Sequence, residues 1–140
     1  MNIEGGSLIK ALHVATSGMV VQNKRLLVLS QNIANASSRA SEKGMDPYRR
    51  KLIQLETFKD KDGAELVRVK KIRTDKSPFK KVHSPYDPAA DETGHVLESN
   101  VQPLIEISDM RDAGRSHEAA AKAFEKILQM IQNMLGLLKQ

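Results

Sequence analysis

Two long apolar stripes, one toward each end of the chain, limit the folds open to it. In the first, Leu8, Leu12, Ala15, Met19, Gln22, Leu26, Leu29 and Ile33 follow one another at alternating spacings of four and three. In the second, Met110, Ala113, His117, Ala120, Phe124, Ile127, Ile131, Met134 and Leu138 do the same. That alternation is the seam of a helix that meets another helix. Stripes this long must be buried against something. Ile9, Val20, Val21, Leu27 and Val28 widen the first stripe, and Ala121, Leu128 and Leu135 flank the second. A two-stranded coiled coil needs only the seam, so the added width predicts more than one neighbour for each helix. A helix of about thirty residues is a rod of roughly 45 Å.

Local signals set the expected boundaries. Ser7 is read as the N-cap of a first helix over residues 7–36, and Pro103 fits the first turn of a second helix over residues 100–139. Gly18 weakens the first helix by about 1 kcal/mol relative to Ala. Between the helices, Leu52, Ile53 and Leu55 lie among Arg and Lys, then Lys61-Asp62-Gly63 reads as a turn, then Leu66, Val67, Val69 and Ile72 recur among cations. Two strands around a turn are predicted there. Pro78, Pro85, Pro88 and Gly94 make residues 77–95 an extended, turn-rich connection. The expected fold is mainly α with a small β insert. The long terminal helices pair as an antiparallel coiled-coil hairpin, and the middle forms a β-hairpin-like domain. The expected domains are residues 1–36 plus 100–140, helical, and residues 37–99, a basic insert with its loops.

Composition narrows the chemistry. The chain has no cysteine, which removes disulfides, thiol nucleophiles and thiolate metal sites. Its four histidines, His13, His83, His95 and His117, form no metal-binding spacing, and His117 lies on a helical seam. No phosphate-binding glycine loop or nucleophile elbow occurs. No catalytic residue, cofactor-binding residue or metal ligand is therefore assigned. No run approaches the ~20 apolar residues of a membrane span, and no cleavable secretory signal is visible.

Charge is unevenly spread. Residues 46–83 hold twelve Lys/Arg against six Asp/Glu, whereas residues 84–140 hold five against nine. The basic insert includes Arg49, Arg50, Lys51, Arg68, Lys70 and Lys71 as candidate contacts to an acidic partner surface. Nucleic acid is disfavoured, because stacking aromatics are few and no recognised binding motif accompanies the cations. A basic coiled-coil adaptor or nucleic-acid-binding protein is the distant alternative reading.

Specific strings point further. Ser30-Gln31-Asn32-Ile33-Ala34-Asn35-Ala36-Ser37 resembles the N-N-x-A-N-x-x-T signature of flagellar rod and hook proteins, at the end of a first amphipathic helix as in that family. Pro47-Tyr48-Arg49-Arg50-Lys51 and the stretch from Tyr86 to Val96 are similar to its proximal-rod members. So are Ser99-Asn100-Val101 with Glu106, and Asp109-Met110 with Arg115 to Ala119. His95 and His117 stand where the pattern carries Tyr. The resemblance implies a structural subunit of the bacterial basal-body proximal rod, neither enzyme nor cofactor protein. It implies assembly with copies of itself and with the rod proteins FlgB, FlgF, FlgG and FliE into a torque-transmitting shaft. It also implies passage through the flagellar type III export apparatus without signal cleavage, and no small-molecule substrate or nucleic acid. Another axial rod subunit is the near alternative. The assembly interface is expected on Leu8, Leu12, Met19, Leu26, Leu29, Ile33, Met110, His117, Phe124, Ile127, Ile131, Met134 and Leu138. In the signature, Asn32 and Asn35 are expected to stop the first helix by tolerating the left-handed conformation and bonding free carbonyls, while Ala34 and Ala36 admit a neighbouring backbone.

Overall fold

A computed structural model describes residues 2–137. In chain order it contains α1 (Asn2–Ala34), β1 (Lys51–Lys59), β2 (Glu65–Thr74), β3 (Lys80–His83), β4 (His95–Glu98) and α2 (Pro103–Leu137). Two long helices bracket a small antiparallel insert, as the stripes predict. Helix α1 begins at Asn2, so Ser7 lies inside it rather than capping it. Helix α2 begins on Pro103, whose missing N–H is free of cost at that position. No helix among the described residues is long and apolar enough to cross a membrane.

Contacts group the chain into two compact units that each draw on both helices. One comprises residues 1–26, 54–71 and 112–140; the other comprises residues 27–53 and 72–111. In the first unit, Leu8 of α1 lines one concavity with Met130 and Met134 of α2. Further along, a side chain at Gly18 would meet the Ala120 methyl at 3.8 Å. Progress along α1 toward its C-terminus thus tracks α2 toward its N-terminus, the antiparallel pairing predicted. Ala15 and Val21 are buried on α1, and Ala113 is fully buried on α2. Strands β1 and β2 form a two-stranded sheet around a turn in which Asp60 N–H donates to Ala64 C=O at 2.8 Å. Gly63 takes φ 77° there, a conformation open to glycine. The Val67 N–H donates to the Ser17 hydroxyl at 3.3 Å, which ties β2 to α1.

Gly18 gives a direct stability test. A methyl at this position makes ordinary van der Waals contact with Ala120, and Ala is the better helix former. Gly18→Ala is expected to stabilise the chain by about 0.5–1 kcal/mol, read as a higher urea midpoint. A lower midpoint would mean that the helices pass closer than the structure places them.

The second unit contains a hairpin where the prolines and Gly94 predict only a connection. Residues 77–95 are not wholly a turn-rich connection: β3 pairs antiparallel with β4 in the register Lys80 to Glu98 and His83 to His95. With only Val82 apolar in Lys80-Lys81-Val82-His83, β3 carries almost no strand pattern of its own. It is recruited by backbone pairing to β4. Segment 38–40 flanks the other edge of β4, where Ala40 N–H donates to Leu97 C=O and Ser99 N–H to Ser38 C=O. Ala40, Ala89 and Val96 form the small core beneath, with Ala90 packed against it. The turn into β4 is set by the Asp91 carboxylate. It accepts from the Thr93 hydroxyl and the backbone N–H groups of Thr93 and His95, bonds that hold its pKa down to about 2.

Candidate functional site

The second unit is organised around a polar hub that joins three elements. Asn32, near the end of α1, is fully buried. Its side-chain amide pairs with the backbone of Lys51 like a strand: Nδ2 donates to the Lys51 carbonyl at 2.9 Å, and the Lys51 N–H donates to Oδ1 at 2.9 Å. Tyr48 O–H also donates to Oδ1, at 2.9 Å. That double use fixes the amide orientation, so Nδ2 also faces Glu106 of α2 and donates to Oε2 at 2.8 Å. Glu106 is 0% exposed. Its other oxygen accepts from Arg50 Nε at 2.5 Å. The guanidinium also lies 3.5 Å from Asp75 and 4.0 Å from Asp109. Burial pushes the Tyr48 phenol pKa up, and the nearby Glu106 charge adds to it.

A second amide extends the hub. Asn100 Oδ1 accepts from the Arg50 N–H at 2.8 Å, and its Nδ2 donates to the Ser77 hydroxyl at 3.0 Å. Asp75 is held below the ordinary carboxylate range, first by the Ser77 N–H and further by Arg50. The hub is a mechanical joint: every buried polar group in it has a partner, and the partners come from α1, α2 and the start of the sheet. Both Glu106 oxygens are engaged, one by Asn32 and one by Arg50, so the carboxylate ties α1 and the start of β1 to α2.

This arrangement corrects the expectation for Asn32. Among the described residues only glycines take positive φ, so neither Asn32 nor Asn35 adopts the left-handed conformation. The helix runs out through tight turns, with Asn35 N–H reaching both the Gln31 and Asn32 carbonyls at 3.2 Å. The Asn35 side-chain amide donates to that same Gln31 carbonyl at 2.8 Å, so it reinforces the last turn rather than serving a carbonyl left free. Ala36 is buried and Ala34 is exposed.

The apolar seam residues divide by exposure. Leu29 is buried; Leu8, Leu12, Met19, Leu26 and Ile33 on α1 are half-buried, as are Met110, His117, Phe124, Ile127, Ile131 and Met134 on α2. Leu138 lies outside the described residues. Other apolar side chains lack cover. Ile9, Val20 and Leu27 are each about half exposed, and their spacings of eleven and seven place them along one face of α1. On α2, Leu104, Ile105 and Ile107 at the first turns and Met130, Leu135 and Leu137 toward the end are exposed. The charged insert is mostly engaged within the chain. Arg49 stacks 4.0 Å over the Phe79 ring, Lys51 reaches Gln31 at 3.1 Å, and Arg50 serves the hub. Arg68 and Lys70 share Glu56 at 2.8 and 3.4 Å, while Lys71 is exposed on β2. Among the described residues no group of acids and histidines is placed to hold a metal ion.

No protein-family model matches the chain. Curated proteins do. The flagellar basal-body rod protein FlgC of Agrobacterium fabrum is 41% identical over 133 residues, covering 94% of this chain and 96% of that protein. That of Bacillus subtilis is 33% identical, covering 91% of this chain and 95% of its own length. That of Salmonella typhimurium is 30% identical, covering 94% and 98%.

Proposed function

Because the chain belongs to the FlgC family of flagellar basal-body rod proteins and is a structural subunit of that rod, we propose that its terminal helices pack into a tube and its insert faces outward. The exposed apolar face of α1 supports this reading best. A long helix whose half-exposed Ile9, Val20 and Leu27 share one side has a second neighbour to meet. In the proposed assembly the neighbours are copies of this chain and the other rod proteins FlgB, FlgF, FlgG and FliE. The subunit leaves the cytoplasm through the flagellar type III export apparatus, takes its place in the proximal rod, transmits torque and catalyses nothing. On the insert, Arg68, Lys70 and Lys71 project outward as contacts to acidic partner surfaces.

The test separates folding from assembly. Val20 and Leu27 are each about half exposed in the single chain. Val20→Asp combined with Leu27→Asp is therefore expected to change stability by no more than about 1 kcal/mol. Placed in an assembled helix layer, the same charges are buried without partners. Expression is expected to persist while images of basal bodies show no rod beyond this subunit and motility is lost. Normal rods and normal swimming would overturn the packing assignment.

A further inference from the structure

We propose that a ring N–H of His117 donates to Gln22 Oε1 across the seam of the helix pair, and that this polar lock selects which apolar face of α1 meets α2. Each seam stripe holds a single polar side chain. Gln22 interrupts a stripe otherwise made of Leu, Ala, Met and Ile. His117 interrupts one otherwise made of Met, Ala, Phe, Ile and Leu.

The antiparallel pairing brings the two to one level. Gly18 of α1 stands against Ala120 of α2, where an added methyl lies 3.8 Å from the Ala120 side chain. Gln22 follows Gly18 by one helical turn and so shares its face. His117 precedes Ala120 by three residues and shares that face of α2. The first step rises about 6 Å and the second about 4.5 Å. Because the helices run in opposite directions, both steps go the same way along the seam. Gln22 and His117 therefore face each other with an axial offset of about 1.5 Å. Packed helices lie about 8–10 Å apart, a gap that these two side chains span together.

Each side chain has a need that the other meets. Gln22 Oε1 is buried and has no hydrogen-bond partner among the described residues. The His117 ring is half-buried and likewise makes no hydrogen bond or ion pair among them. A buried acceptor left without a donor is costly, and a neutral imidazole carries one N–H to give. Rotation of the ring or of the amide about its side-chain bonds joins them. The consequence is specificity. Ile9 and Val20 lie half exposed on another side of α1, so apolar burial alone does not say which side meets α2. Turning α1 until Val20 faces α2 carries Gln22 away from its donor. A polar residue in an apolar seam fixes alignment in this way, at some cost in stability. The lock acts within one chain, so it goes beyond the rod assignment and does not depend on it.

Urea unfolding of four full-length chains tests the pairing: wild type, Gln22→Leu, His117→Leu and the double variant. If Gln22 had no donor, Gln22→Leu would stabilise, since Leu suits an apolar seam. The lock predicts the reverse. Each single substitution is expected to lower the folding equilibrium constant about tenfold and the double to lower it no further, a coupling of about tenfold. His117→Asn, which keeps an N–H donor, is expected to retain most of that coupling. A measurement on the wild-type chain needs no variant: nuclear magnetic resonance is expected to show one His117 ring N–H in slow exchange with water. A higher midpoint for Gln22→Leu, additive effects of the two Leu substitutions, or a rapidly exchanging ring proton overturns the pairing. Selectivity is read by sedimentation equilibrium. With both stripes apolar throughout, the double variant is expected to self-associate about tenfold more tightly than wild type. Unchanged association overturns the selective role.

Discussion

Glu106→Ala is expected to destabilise the chain by about 3 kcal/mol, because breaking a buried ion pair strands its partner. The substitution removes the acceptor for Arg50 Nε and for Asn32 Nδ2 together. Asp75 and Asp109 lie within 4.0 Å of the same guanidinium and offset part of the loss, which places the effect at the low end for such pairs. Glu106→Gln is the more informative change. Gln keeps the size and can still accept from Arg50, but its amide nitrogen then faces the Asn32 amide nitrogen. Asn32 cannot turn over to relieve that clash, since its two ends are paired with the Lys51 N–H and C=O. A cost of roughly 1–3 kcal/mol is expected for the stranded donor. Urea unfolding of the two variants checks the order, Ala worse than Gln and both worse than wild type. If Gln matches wild type, the amide orientation assigned to Asn32 is wrong.

Leu29→Asp is expected to abolish the folded chain. Leu29 is 6% exposed, next to Val28 at 3% and one helical turn from the hub. Loss of its burial removes about 1.5–3 kcal/mol. A carboxylate held at this buried position loses its hydration, which adds several kcal/mol more. Against a typical total of about 5–15 kcal/mol, that sum leaves little or no native state. Leu29→Ala, which only opens a cavity, is expected to cost about 2–5 kcal/mol and remain folded. Far-ultraviolet circular dichroism and urea midpoints distinguish the two. A Leu29→Asp chain with a wild-type midpoint would show that this side of α1 opens to solvent. Val20 and Leu27 make the contrast: the same substitution on the same helix is expected to prevent folding at Leu29 and to leave folding intact at Val20 and Leu27, where each side chain is about half exposed.

The two helices were legible from sequence because burial of a helix imposes a period on the residues themselves. Spacings of three and four from Leu8 to Ile33 and from Met110 to Met134 leave no other regular structure that would cover them. The order of elements, the β1–β2 turn at Gly63 and the family resemblance rest on similarly local signals. The paired hairpin β3–β4 was not legible, since its register depends on backbone bonds to a strand twelve residues away and on segment 38–40. The hub was still further from view. Its parts stand far apart in the sequence, as a signature around Asn32, a basic run at Arg49 to Lys51 and an entry to α2 at Glu106. Nothing in the sequence says that these meet.

Which face of a periodic helix meets its own chain and which is left for a neighbour is likewise undetermined by period alone. Val21 and Val20 are adjacent and chemically identical, yet one is 2% and the other 53% exposed. The sequence by itself determined that two long helices flank a basic β insert, because period and turn chemistry act over a few residues. Only the tertiary structure decided that Asn32, Arg50 and Glu106 form one buried joint and that Tyr86 stands clear of the surface. Those outcomes depend on distances between residues far apart in the chain, and local propensity carries no record of them.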